Sequence, residues 1–188
     1  MGQARIIMPL FRPGPGPYAL VVAMTGVRMG ERLLEIGSGT PAMFGALSAK
    51  VGLSGHAAAV AGDSRAADAL TRAGAQEGAL VDVQVAPPAC LPHAREAFDL
   101  IVLDCTVTPI GQAAEWLPEA FRVLRAGGRL IVAERAGMSG LWGMLRVRPA
   151  RGETATTTGA LELSGFRPVR RIAERDGWRF TEGLKPGQ

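Results

Sequence analysis

Five short apolar runs recur along the chain: RLLEIG from Arg32, HAAAVA from His56, VDVQV from Val81, FDLIVLD from Phe98 and RLIVAE from Arg129. Each has the length and bounding glycines or polar residues of a buried strand. Three of the four gaps between them carry a helical pattern. PAMFGALSAKVG opens on Pro41, which suits a first helical position because its missing N–H would have had no partner there. DSRAADALTRAG reads as a helix capped by Asp63 or Ser64 and stopped by Gly74. EWLPEAFRVLRAGG is amphipathic and ends in a glycine stop before the fifth run. Strands alternating with helices at this rhythm predict right-handed βαβ units, hence a parallel sheet with helices on both faces.

The two ends depart from that rhythm. Before it, RPGPGP (Arg12 to Pro17) cannot be helical, and YALVVAMTGV is a short apolar helix ended by Gly26 and Gly30. After it, TGALELSGF reads as a helix ended by Gly165. FRPVRRIAER and WRFTEGLK then flank Asp176-Gly177, a strong hairpin signal. The expected fold class is therefore α/β: a Rossmann-like, doubly wound, mostly parallel seven-stranded sheet with an antiparallel C-terminal hairpin strand. Residues 1–29 form a lead-in and helix, and residues 30–188 one domain.

Composition narrows the picture. The 188 residues are 47% hydrophobic and 20% charged, which suits a globular chain with a real core. No apolar run approaches the ~20 residues of a membrane span, and the first residues lack a long apolar signal core, so a cytoplasmic location is expected. Cys90 and Cys105 have no metal-ligand spacing and read as small hydrophobes. The net charge of +4 and pI near 9.8 invite a nucleic-acid reading. The arginines are scattered, however, with no zinc finger, RNA-recognition motif or basic stripe, so nucleic acid is disfavoured.

The candidate chemistry begins at Glu35, where EIGSGTPAMFGAL follows the first strand. A lone G-x-G is shared with dinucleotide-binding proteins. Those want an acid at the end of the second strand, which is absent here. Taken together, LLEIGSGT, FDLIVLD and FRVLRAGGRLIVAE in this order resemble the class I S-adenosylmethionine-dependent methyltransferases. The small-molecule branch that methylates quinones and related acceptors is the most similar. The resemblance covers about Gly30 to Lys185.

It implies S-adenosylmethionine as cofactor and assigns roles position by position. Glu35 matches the acid that positions the methionine ammonium group. Gly37, Ser38, Gly39 and Thr40 form the loop against which the cofactor lies. Pro41 stands where a third glycine is usual. Ala61 falls where the ribose-binding acid should be, which leaves Asp63 and Ser64 as substitutes. Ala86-Pro87-Pro88 replaces the usual adenine-reading acid and N–H donor, with Cys90 nearby to compensate. Asp104, closing the fourth strand, is the candidate catalytic residue and a further cofactor contact. Glu134 is its only possible metal partner, too few ligands for a hard cation, so no metal is expected. Met138 to Arg151 lies where relatives carry a cover over the acceptor.

The expected function is methyl transfer to a small, apolar acceptor by direct displacement, which demands positioning and few catalytic side chains. The three departures at Pro41, Ala61 and Pro87-Pro88 motivate an alternative from another class, a non-catalytic methyltransferase-like binding or assembly partner. An RNA methyltransferase is a third option, resting on charge alone. Homo-oligomerisation or a protein partner stays open.

Overall fold

Why the apolar runs become strands is visible in a computed structural model, which describes residues 16–37, 40–135 and 156–187. The parallel core comprises β1 (Arg32–Ile36), β2 (His56–Ala61), β3 (Val81–Val85), β4 (Phe98–Cys105) and β5 (Leu124–Arg135). The C-terminal hairpin is β6 (Val169–Arg175) and β7 (Trp178–Leu184). Helix α1 (Ala19–Thr25) precedes β1, and α2 (Pro41–Val51) and α3 (Ser64–Gln76) follow β1 and β2. Helix α4 (Ile110–Ala113) and a 3₁₀ turn lead into α5 (Leu117–Val123) ahead of β5, and α6 (Thr157–Leu163) precedes the hairpin. The strands form one sheet in the order β3-β2-β1-β4-β5-β7-β6.

The sheet is coated on both sides, which explains the unbroken apolar runs. Leu33, Leu100, Val102 and Ile131 pack on one face with Val21 of α1 and Met43, Phe44 and Leu47 of α2. Leu34, Ile101, Leu103 and Val132 pack on the other with residues of α4, α5 and α6. The expected hairpin is present: Asp176 and Gly177 both have positive φ, at 53° and 73°, as a two-residue turn of this hand requires. Strand β7 runs antiparallel between β5 and β6, so the hairpin supplies two strands, with β6 at the edge.

Two expected boundaries are corrected. Gly74 does not stop α3, which continues to Gln76. A Cβ at Gly74 would meet Val81 Cγ1 at 2.6 Å, so glycine is there for close helix–strand packing. The helix expected over EWLPEAFRVLRAGG is instead broken into a 3₁₀ turn and α5, and β5 already begins at Leu124. The glycines there bend a strand: Gly127 has φ of 70°, and pairing with β4 slips between Phe98 and Leu100.

Lys185 fastens that bend. Its backbone exchanges hydrogen bonds with Gly127 and Gly128, and its Nζ donates to the carbonyls of Phe121 (2.9 Å) and Leu124 (2.7 Å). The ammonium therefore sits at the C-terminal end of α5, 4.9 Å above the Phe121 ring, on a residue only 7% exposed. Arg129 does the same for α1, donating to the carbonyls of Thr25 and Gly26 while it grips Glu31 with two nitrogens. Lys185→Ala should strand two carbonyls and cost about 2–3 kcal/mol, a fall of roughly 4–10 °C in Tm. Thermal unfolding followed by circular dichroism checks this, and an unchanged melt would refute the role given to Lys185.

Candidate functional site

Where β1 and β4 end, the chain leaves in opposite directions, β1 toward β2 and β4 toward β5. This is the switch point at which open parallel sheets form a crevice. Glu35 lies opposite Val102 and Ile36 opposite Leu103, so Asp104 stands one step beyond the end of β1. Side chains alternate along a strand, which puts Glu35 on the face of Leu33, and Asp104 on the face of Leu100 and Val102. Those three residues share one core cluster, beneath α1 and α2. Both acids therefore point to the same side of the sheet.

Their surroundings are unequal. Glu35 and Asp104 are each 1% exposed. Asp104 Oδ1 accepts from the Thr106 N–H at 2.9 Å and from the Thr106 hydroxyl at 2.5 Å, and Thr106 Oγ1 lies 3.2 Å from Thr40 Oγ1. Asp104 Oδ2 and both oxygens of Glu35 have no partner among the described residues. Burial holds the Glu35 carboxyl well above the usual range, and the neighbouring Asp104 pushes it further up. A buried acid without donors is costly, so this end of the sheet is built to receive a group carrying positive charge and N–H bonds.

The loop after β1 is shaped by a close approach. Gly37 has φ of 122°, and a Cβ there would run into the Asp104 carbonyl, so only glycine fits. Thr40 then leads into α2 with Pro41 in its first turn, the placement its missing N–H favours. Ser38 and Gly39 lie outside the described residues, as does the expected cover from Met138 to Arg151.

The remaining expected residues lie along the same end of the sheet. Ala61 ends β2 fully buried, and its carbonyl accepts from Ala86. Asp63 Oδ1 caps α3 by accepting from Ala66 N at 2.8 Å, and Ser64, exposed, is the first residue of that helix. Pro87 O accepts from Cys90 N in a turn that leaves Cys90 exposed. Cys105 is buried, its thiol pushed far up by burial, with Glu134 and Asp104 adding to the effect. Glu134 lies opposite Cys105 on β5 and accepts from the Thr157 hydroxyl at 2.8 Å.

Sequence reasoning missed two contributors. Thr106 spends two donors on Asp104; a threonine two residues after an acid is the available signal. Glu119 and Arg122 on α5 bind the backbone of Leu91 and His93, which fixes the connection from β3 to β4.

Because the folded pKa of Glu35 is raised, ionising it as pH rises from the ordinary carboxylate value of about 4.3 opposes folding. Glu35→Gln removes that penalty. Its Tm should exceed that of the natural protein near about pH 8, and the gap should close toward about pH 4, where both side chains are neutral. Paired thermal melts across that range test the sign, and a variant that melts lower at the alkaline end would contradict it.

A family model described as a methyltransferase domain matches residues 34–132. No curated protein matches the chain in sequence. Among solved structures, an S-adenosylmethionine-dependent methyltransferase from Aquifex aeolicus aligns with TM-score 0.68 at 19% identity, over 90% of this chain and 94% of its own. The cyclase SpnF aligns with TM-score 0.65 at 17% identity, over 90% and 79%. A chain of a Haloferax volcanii complex that contains a methyltransferase activator aligns with TM-score 0.66 at 17% identity, over 90% and 88%. At such identities these structures speak to the fold, while the family model spans more than half of the chain. The glycine loop after β1, the two acids at the switch point and the strands that carry them fall within that match, and the chain belongs to the methyltransferase domain family.

Proposed function

We propose that this protein binds S-adenosylmethionine at the ends of β1 to β4 and transfers its methyl group to a small, apolar acceptor of the quinone type. The observation that carries this reading is the set of three unpartnered, buried carboxyl oxygens on Glu35 and Asp104. The ammonium group of the methionine part supplies the charge and donors they lack, so the residues fit the cofactor. When bound, S-adenosylmethionine supplies a methyl group activated by its sulfonium. In this reading Glu35 receives the ammonium, and Gly37, with Ser38, Gly39 and Thr40, lets the ligand lie against bare backbone. Asp63 or Ser64 takes the ribose, and the turn at Cys90 borders the adenine. Asp104, held by Thr106, orients the reacting end. Direct displacement asks for alignment and exclusion of water rather than a proton relay.

The alternative, a non-catalytic assembly partner, draws on Ala61, which is fully buried and has no polar side-chain atom where a ribose acceptor belongs. It also draws on the activator complex among the structures of this fold, and SpnF shows that the fold can carry a cyclase. Calorimetric titration of the purified protein with S-adenosylmethionine separates the readings. The enzyme should bind with Kd of order micromolar, about −8 kcal/mol. Ala61→Asp should then tighten binding about tenfold, because a carboxylate facing ribose hydroxyls makes charge-assisted bonds of ~1.5–3 kcal/mol. No binding at millimolar ligand, with a lower Tm for Ala61→Asp, would sink methyl transfer and leave the assembly role.

A further inference from the structure

Glu35 and Asp104 project from hydrogen-bonded neighbouring strands onto one face, sealed from water, with three of their four oxygens unpartnered among the described residues. The groups around them offer little countercharge. Strand β2 presents only alanines and a valine between Ala57 and Ala61, and the residues of α2 packed on this face are Met43, Phe44 and Leu47. Lys50 sits in the last turn of α2, far from its start, and Asp63 is exposed at the cap of α3. Tyr18 precedes α1. On β5 the same face carries Ala133 opposite Asp104, then Arg135, which is exposed and stacked 4.1 Å over the Trp178 ring. Cys105 and Glu134 alternate to the opposite face.

We propose that Glu35 carries a proton in the free protein and releases it to solvent when a cationic ligand enters, so that cofactor binding is coupled to proton release. The inference rests on the reading of this crevice as the seat of S-adenosylmethionine. Burial without a donor disfavours the ionised form of Glu35, and the charge of the neighbouring Asp104 disfavours it further. Among the described residues the N–H and hydroxyl of Thr106 donate to Asp104 and none donates to Glu35. The proton therefore rests on Glu35, in keeping with the upward push that burial and Asp104 exert on it.

On binding, the O–H bond of Glu35 breaks, the proton passes to solvent, and the ammonium of the ligand takes its place beside the carboxylate. No other bond changes. Between the bound and free pKa values of Glu35, affinity should rise up to about tenfold per pH unit and level off above. A nucleoside thioether without the amino-acid part brings no charge and should release nothing.

The test is calorimetric titration of the full chain with S-adenosylmethionine in two buffers of different ionisation enthalpy, from about pH 5 to about pH 8, above the ordinary carboxylate range. The difference in heat counts protons. Release approaching one proton per ligand, with none for methylthioadenosine and none for Glu35→Gln, is the expected result. Binding of S-adenosylmethionine without proton exchange across the range overturns the proposal and leaves the methyltransferase reading intact. No binding at all overturns both. Carboxyl-carbon NMR of the ligand-free protein gives a second readout that depends on neither ligand nor variant. A protonated Glu35 carboxyl near neutral pH supports the proposal, whereas an ionised one refutes it.

Discussion

Two carboxyl groups buried on adjacent strands oppose each other, and neither strand can move to relieve the strain. Strand β1 is paired on both sides, to β2 and β4, and β4 is paired to β1 and β5. Both faces of these strands are packed, so a shift of register would carry Leu33, Leu100 and Val102 out of one core and Leu34 and Ile101 out of the other. The acids are thus held by the most over-determined part of the molecule. Around them the loop is constrained in turn: Gly37 passes against the Asp104 carbonyl, and Thr106 locks one oxygen of Asp104 while touching Thr40. A buried acid without donors costs stability, and it persists here because the surrounding strands and loop over-determine its position.

Much of this was legible because parallel strands buried on both faces need apolar residues at nearly every position. RLLEI and HAAAVA announce β1 and β2 with the bounds observed, and Asp176-Gly177 announces the hairpin. The failures are also instructive. Glycine ends a helix when it adopts positive φ, but Gly74 is present for lack of a side chain against Val81, and composition does not separate the two uses. Phe121, Val123 and Leu124 keep helical spacing while the backbone becomes extended at Leu124, where pairing with β4 outweighs local preference.

At the site, single residues were easier to read than pairs. The position of Glu35 at a strand end marked it, and so did that of Asp104. That the two share one face of the sheet depends on alternation and register between strands far apart in sequence, which no local pattern encodes. Asp63 shows the converse: it stands near the expected ribose contact, and its carboxylate is used to cap α3. The family match spans the glycine loop and the strand-end acids, and it spans Ala61 and the Pro87-Pro88 turn as well.

The place of β7 has a consequence for how the chain assembles. It is the last strand in sequence but an interior strand in the sheet, flanked by β5 and β6. A strand cannot easily thread between two that are already joined, and among the described residues β6 pairs with β7 alone. The two-residue turn at Asp176-Gly177 lets β6 and β7 form first as a local ribbon, which then docks as a unit along β5. Docking brings Lys185 to the end of α5, so the hairpin also completes a helix some sixty residues earlier in the sequence. Until then the nascent protein has an open sheet edge and an uncapped helix, and its safety from aggregation rests on how quickly a short hairpin forms.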